Sequence, residues 1–144
     1  MSDVSLVVGL CLLLPVLGAF AVLLLGSRPN ARETATLLTA GLTFWHVWRL
    51  LGHILEGERP RLELLEIVPG VQLAFEVEPL GLLFALVASF LWIVTSLYAI
   101  GYMRGHNEKN QTRFFFFFAI SIAGTMGVAF SANLFTLFAF YEVL

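Results

Sequence analysis

Long apolar stretches that recur along the 144 residues constrain the fold of this chain more than any other feature. They contain roughly 20 residues each, the length that an α-helix needs to cross a hydrocarbon core about 30 Å thick. Charged residues make up only 12% of the sequence, whereas soluble domains have about 25%. The mean hydropathy is +0.90. The pattern therefore predicts an all-α integral membrane protein that lies in a lipid bilayer.

The apolar stretches predict a helical bundle of four full spans followed by the start of a fifth. The predicted spans cover residues 4–26, 33–48 (with the helix continuing to residue 56), 80–103, 114–130 and 134–144. Residues 1–56 therefore hold spans one and two, residues 57–78 form an external loop, and residues 79–144 hold spans three, four and the truncated five.

The external loop contains a strand-like pattern. Val71, Leu73 and Phe75 alternate with polar or small residues, and alternation with period 2 is typical of a β-strand. Pro69 and Gly70 precede this stretch and form a turn pair that suits a type II turn. A small extramembrane hairpin is expected between spans two and three.

Basic residues in the loops predict the orientation of the chain. One side has five of them, in the loops after spans one and three: Arg28, Arg32, Arg104, Lys109 and Arg113. The other side has Arg59 and Arg61, with Arg49 near its surface, and it is rich in glutamate. Because cytoplasmic loops have an excess of lysine and arginine, we expect a multi-pass protein of the cell inner (plasma) membrane with its N-terminus outside.

The sequence excludes several classes of site. The single cysteine, Cys11, excludes an internal disulfide, a zinc cage and an iron–sulfur cluster held by thiolates. The sequence has no flavin, haem or catalytic motif, so we expect no cofactor, no metal and no catalytic residue in it. The net charge of −2 and the lack of arginine-rich clusters exclude nucleic acid as a partner.

Glu142 lies inside the apolar run FAFYEVL. It follows Leu134 by eight residues, which places it about 12 Å from the start of the fifth span. A carboxylate at that depth is costly and usually faces a bundle interior or a wet cavity. Burial favours its protonated form and a nearby cation favours its charged form, so Glu142 is a candidate proton site. The alternative is a neutral glutamic acid that is hydrogen-bonded across a helix interface.

The fifth stretch is too short to cross a membrane. Its eleven residues, 134–144, reach about 16 Å as a helix, whereas a crossing needs about 30 Å. We therefore expect these 144 residues to be the N-terminal part of a longer protein, or of a split protein that a partner chain completes.

Polar side chains near Glu142 have two interpretations. Ser121 and Thr125 in span four, together with Thr136 and Tyr141 in span five, could hold water beside the carboxylate. Serine and threonine also bond back to carbonyls of their own helix, and the sequence does not decide between the two. Span four also repeats small residues every four positions, a face suited to close helix contact: Ala119, Ala123, Gly127 and Ser131.

Three stretches in order are similar to a known family. They are FEVEPLGLLFALV, LYAIGYMRGHNEKNQTRFFFFF and SANLFTLFAFYEVL. Residues 75–144 resemble the antiporter-like membrane subunits shared by respiratory complex I, membrane-bound hydrogenases and multisubunit Mrp-type cation/proton antiporters. The ending FYEVL looks most like the D-type subunit of Mrp antiporters.

The resemblance implies roles for two acidic residues. Glu142 matches the buried glutamate on the fifth helix of the family, which is taken to be central to ion translocation. Glu78 falls where many members have an aspartate before the third helix, so the charge is kept. The family pairs its glutamate with a lysine on a later helix that these residues do not include. The fragment is therefore not expected to transport ions by itself.

Three functional hypotheses follow. The first is a subunit for monovalent cation/proton antiport or proton translocation within a hetero-oligomeric membrane complex. The second is a proton-pumping membrane subunit of an NADH:quinone oxidoreductase or hydrogenase complex, in which other subunits hold the redox cofactors. The third is a structural remnant that conducts nothing. In the first two, the partners are other membrane subunits, protons and monovalent cations.

Overall fold

The structure is a computed structural model that describes residues 3–144. Its helices are α1 (Asp3–Leu24), α2 (Pro29–Leu55), α3 (Pro79–Gly105), α4 (Gln111–Ala129) and α5 (Leu134–Tyr141), and its strands are β1 (Arg61–Val68) and β2 (Val71–Glu76). The predictions of a mostly helical chain and of a small hairpin between the second and third helices are confirmed.

Proline sets the start of two helices. Pro29 opens α2 and Pro79 opens α3, positions where the missing N–H is not needed and the fixed φ angle already suits a helix. The sequence analysis began span two at residue 33 and assigned residues 27–32 to a linker. The structure corrects this boundary, because α2 starts at Pro29 and so includes most of that linker.

Helices α1 to α4 form a four-helix bundle. Both α1 and α3 pack against α2 and α4, so the four helices stand at the corners of a square. Arg104 near the end of α3 reaches Glu33 near the start of α2. The hydroxyl of Thr112 at the start of α4 donates to the carbonyl of Gly26 just after α1, at 3.4 Å. Neighbouring helices in the square therefore run in opposite directions.

The bundle core combines a few large side chains with many small ones. Trp92, Phe115 and Met126 are buried on α3 and α4. The small residues around them permit close helix contact, and the buried ones include Cys11, Ala19, Ala40, Ala85, Ala119 and Ala123. At the contact between α1 and α2, a methyl group on Gly18 would overlap the side chain of Thr39. A larger residue at such a position would force the helices apart.

The hairpin has the predicted turn. Strands β1 and β2 are antiparallel, and Val68 pairs with Val71 across Pro69 and Gly70. Gly70 has φ +86°, the positive value that the second central residue of a type II turn requires and that glycine adopts without strain.

Strand β2 is also bonded to the connection between α4 and α5. The N–H of Glu76 donates to the carbonyl of Phe130 at 2.7 Å, and the N–H of Ala132 donates to the carbonyl of Ala74 at 3.0 Å. These bonds attach the hairpin to the end of the bundle at which α4 stops and α5 begins.

Three of the described helices are long and apolar enough to cross a membrane: Asp3–Leu24, Pro79–Gly105 and Gln111–Ala129. Helix α2 has 27 residues, which is long enough at about 1.5 Å per residue. It includes Arg32, Glu33 and Arg49, among other polar residues, and it is not one of the three. Four full spans were expected, and three of the described helices meet both the length and the composition criteria.

Candidate functional site

Polar contacts at its first turn fix the start of α5. The side chain of Asn133 accepts a hydrogen bond from the N–H of Thr136 at 2.8 Å, the capping geometry that stabilises a helix N-terminus. The amide of Asn133 donates to the carbonyl of Gln72 at 2.7 Å, and the hydroxyl of Thr136 accepts from the N–H of Ala74 at 3.1 Å. Strand β2 therefore holds the first turn of α5 in place.

Close packing against α4 fixes the rest of α5. The ring of Phe140 lies over Gly127, where a methyl group would overlap it. The same ring meets Phe75 of β2 edge-on, with centroids 5.4 Å apart. The small-residue face predicted for α4 is buried at Ala119, Ala123 and Gly127, and α5 approaches it closely at Gly127.

Glu142 caps the C-terminal end of α5. Its N–H donates to the carbonyl of Phe138 at 3.0 Å. Its side chain is exposed, and no hydrogen bond or ion pair joins it to another of residues 3–144. The sequence analysis expected Glu142 to face a bundle interior or a wet cavity; within residues 3–144 its side chain lies on the surface of α5, and its burial in a larger assembly stays a prediction. Glu142 is exposed because α5 packs through Thr136 and Phe140, which lie on its other side.

The surface around Glu142 is apolar. The exposed residues of α5 and the turn after it include Leu134, Phe138, Tyr141, Val143 and Leu144. Such a surface is compatible with lipid or with another protein segment, whereas a charged carboxylate within it is not compatible with lipid alone. The carboxylate is therefore the one feature of this surface that demands a polar partner.

The structure gives the predicted accessory residues different surroundings. Thr136 is buried in the junction with β2, and Tyr141 is 64% exposed. The hydroxyl of Thr125 donates to the carbonyl of Ser121 at 2.8 Å, the bond within one helix that was the alternative interpretation. Glu78 lies before α3, exposed and 3.8 Å from Arg59.

A cluster of buried charges lies at the opposite end of the bundle from the hairpin. The side chains of Arg32 and Glu33 are 6% and 8% exposed and lie 3.5 Å apart. Arg104 of α3 donates from Nε to Glu33 at 2.9 Å and from Nη2 to its other oxygen at 2.6 Å. Arg32 also donates to Gln111 and Thr112 of α4, each at 3.0 Å. The cluster joins α2, α3 and α4.

Sequence reasoning missed this cluster. It assigned Arg32 and Arg104 to loops on the basic side of the membrane. The structure does bring those two loops to the same end of the bundle, since Arg32 and Arg104 both contact Glu33. The available signal was Glu33, a glutamate directly beside Arg32 on a side of the membrane with five basic residues.

A second group of ionisable residues lies in the last turn of α2 and just after it. Ligand atoms of His53, Glu56 and Glu58 lie within 4.8 Å of one another, and His53 Nδ1 is 2.7 Å from Glu58 Oε2. Gly57 turns the chain there with φ +84°. These are ligand types that a divalent cation uses, but exposed acidic groups commonly gather without a metal, so the grouping indicates local negative charge.

Comparison with known protein families supports the resemblance inferred from the sequence. Residues 69–115 match the family described as NADH-Ubiquinone oxidoreductase (complex I), chain 5 N-terminus. The match begins at the hairpin turn and ends in the first turns of α4. Curated protein sequences give no significant match.

The fold is similar to that of a solved respiratory complex. A chain in the structure of the membrane-bound sulfane sulfur reductase (MBS), an archaeal respiratory membrane complex, superposes with a TM-score of 0.77 at 22% identity. The superposition covers 93% of this chain and 21% of that chain, so this chain spans about a fifth of its relative's length. The similarity to the complex I family is confirmed in sequence over residues 69–115, and the fold of most of the chain is that of a chain in a respiratory membrane complex.

Proposed function

We propose that this chain is part of an ion-translocating membrane subunit in which Glu142 takes up and releases a proton or interacts with a monovalent cation. The observation that supports this most is a carboxylate on the apolar surface of α5 that has no hydrogen-bond or ion-pair partner among residues 3–144. Glu142 lies eight residues after Leu134, about 12 Å along the helix axis. A carboxylate at that depth marks an ion pathway more often than a structural contact.

The exposed face of α5 is in this proposal an internal surface of a larger assembly. An acidic residue near the centre of a bilayer costs about 2.5–3.5 kcal/mol on insertion scales. Protein that covers the face and supplies a cation or water to Glu142 would remove that cost. Other membrane subunits, or further helices of the same subunit, would provide this cover.

Helix α2 is proposed as a fourth span of this subunit. It is as long as α3, which meets both criteria for a span, and it packs against α1 and α3. Its charged residues Arg32 and Glu33 are buried inside the bundle rather than exposed to lipid. With α2 as a fourth span, we propose that the basic end of the bundle faces the cytoplasm and that the N-terminus lies outside the cell inner (plasma) membrane.

Two forms of coupling fit this site. In the first, the subunit belongs to a multisubunit Mrp-type antiporter that exchanges a monovalent cation for protons, which the FYEVL ending favours. In the second, it pumps protons in a redox-driven complex, which is favoured by the complex I family match and by the respiratory complex with a similar fold. Co-purified iron–sulfur proteins would support the second form, and a complex of small membrane subunits alone would support the first.

Glu142→Gln in the complete membrane complex tests the proposal. Complexes are isolated from the membrane, their subunit composition is checked, and proton movement in vesicles is followed with a pH-sensitive dye. We expect assembly to continue and proton movement to be abolished, because glutamine cannot exchange a proton. Glu108→Gln, in the exposed loop between α3 and α4, is the matched control and should transport normally. Normal transport by an assembled Glu142→Gln complex would refute the role of Glu142.

A further inference from the structure

A row of polar side chains on α3 lies inside the bundle, apart from Glu142. Ser89, Trp92 and Ser96 are at most 1% exposed, and their spacing of three and four residues puts them on one face of the helix. Ser89 is satisfied, since its hydroxyl donates to the carbonyl of Ala85 at 2.7 Å. Trp92 Nε1 and Ser96 Oγ are buried and have no hydrogen-bond partner within residues 3–144.

These two groups call for a shared partner. A buried polar group without a hydrogen bond costs free energy, and most such groups are in fact bonded to protein or to ordered water. Trp92 and Ser96 are one helical turn apart, so a single small molecule can contact both. The indole N–H can only donate and the hydroxyl can donate or accept. The partner must therefore accept hydrogen bonds.

Hydrogen-bond acceptors lie at the same level of the bundle on α2. The rings of Phe44 on α2 and Phe90 on α3 are 6.0 Å apart, and the two helices are antiparallel, so Thr43 lies level with Trp92 to within a turn. Thr43 is fully buried, and its hydroxyl donates to the carbonyl of Thr39 at 2.8 Å. The lone pairs of its oxygen stay available to accept a bond.

Helix α1 offers a second acceptor at this level. Gly18 abuts Thr39, so Pro15, three residues earlier on the antiparallel helix, lies level with residues 42 and 43. Pro15 is buried within α1 and has no N–H to donate to the carbonyl of Cys11 one turn before it. A helix carbonyl that loses its usual donor in this way needs another one.

We propose that Trp92 and Ser96 hold a water molecule in the centre of the bundle, between the hydroxyl of Thr43 and the carbonyl of Cys11. Water accepts bonds from the indole and hydroxyl groups and donates to the two oxygens, so it has the 2–4 partners typical of buried water. A metal cation does not suit two groups that donate, and an anion does not suit the two oxygens. Trp92 stands midway between Pro79 and Gly105, so this water lies near the middle of a membrane span.

X-ray hydroxyl-radical footprinting of the intact protein in its membrane complex tests this proposal. Radicals form from water, so a side chain beside bound water is oxidised even when bulk solvent cannot reach it. We expect Trp92 to be oxidised although it is 1% exposed, and Met126, which is buried in the same bundle, to stay unmodified. Methionine is the more reactive side chain, which makes Met126 a stringent dry control. Oxidation of Trp92 that is no greater than that of Met126 would overturn the proposal.

Two serine variants localise the water. Ser96→Ala should reduce the oxidation of Trp92 several-fold, because it removes one of the groups that hold the water. Ser89→Ala should leave it unchanged, because the hydroxyl of Ser89 is already bonded to its own helix. The melting temperature gives a second readout: it should fall in Ser96→Ala if a bonded water is lost. A higher melting temperature of Ser96→Ala, or equal oxidation of Trp92 in both variants, would mean that no water contacts the hydroxyl of Ser96. Either result would refute the site.

Discussion

Glu33→Gln should destabilise the bundle by removing the only counter-charge of a buried arginine within the described residues. Glu33 Oε1 lies 3.5 Å from Nη2 of Arg32, and both side chains are less than a tenth exposed. Coulomb's law at an effective dielectric constant of about 20 gives roughly 5 kcal/mol for unit charges at that distance. Removing one partner of a buried ion pair costs about 3–5 kcal/mol in practice.

The expected loss is at the low end of that range, about 3 kcal/mol. Glutamine keeps an oxygen that can accept from Arg104, and Arg32 keeps its bonds to Gln111 and Thr112. The free energy of unfolding is measured by denaturant titration of the protein in lipid bicelles, with helix content as the signal.

The matched control is Glu63→Gln on the hairpin. Glu63 and Arg61 form an ion pair at 3.0 Å with both side chains about half exposed, and such surface pairs contribute about 0–1 kcal/mol. If Glu33→Gln changed stability no more than Glu63→Gln does, the buried cluster would not be a determinant of the fold.

Two further substitutions test how α5 is attached. Gly127→Ala should lower stability by about 1–3 kcal/mol because the new methyl group overlaps Phe140. Gly101→Ala is the control, because its methyl group meets no atom within 4 Å. Thermal melting compares the two variants, and equal melting temperatures would contradict the packing of Phe140 on Gly127. Thr136→Val should leave the N–H of Ala74 without its acceptor, which should lower the free energy of unfolding by about 1–3 kcal/mol. Hydrogen exchange at Ala74 should become faster in Thr136→Val, and Thr136→Ser should restore slow exchange.

The positions of α1, α3 and α4 could be predicted from the sequence because long apolar stretches mark them. The hairpin was also predictable, since Pro69 and Gly70 suit a type II turn and apolar residues alternate with polar or small ones along β2. The start of α2 was misplaced, because residues 27–32 resemble a polar linker and the contact that holds this end of α2, between Glu33 and a distant partner, is not evident in the sequence. That partner, Arg104, lies 71 residues beyond Glu33 in the sequence, and a long-range pair of this kind leaves no local pattern.

The candidate site was only partly predictable for a related reason. The unusual chemistry of Glu142, a carboxylate in an apolar run, is evident in the sequence. Its surroundings depend on which face of α5 packs, and that is decided by Gly127 on α4 and by Ala74 on β2. Ser121 and Thr125 have the spacing of a polar path, yet the hydroxyl of Thr125 is used within its own helix.

The position of Glu142 therefore depends on the hairpin more than on the charged cluster. The Arg32–Glu33 cluster joins α2 to α3 and α4 at one end of the bundle, whereas α5 is attached at the other end through Asn133 and Thr136 to β2. A helix held at its first turn and packed along one side has its orientation set by those contacts. In the proposed function, the hairpin is thus the element that fixes the direction of α5 and with it the position of Glu142, about 12 Å along that helix from its first residue. Under that proposal, the small sheet contributes to ion translocation by fixing the direction of α5.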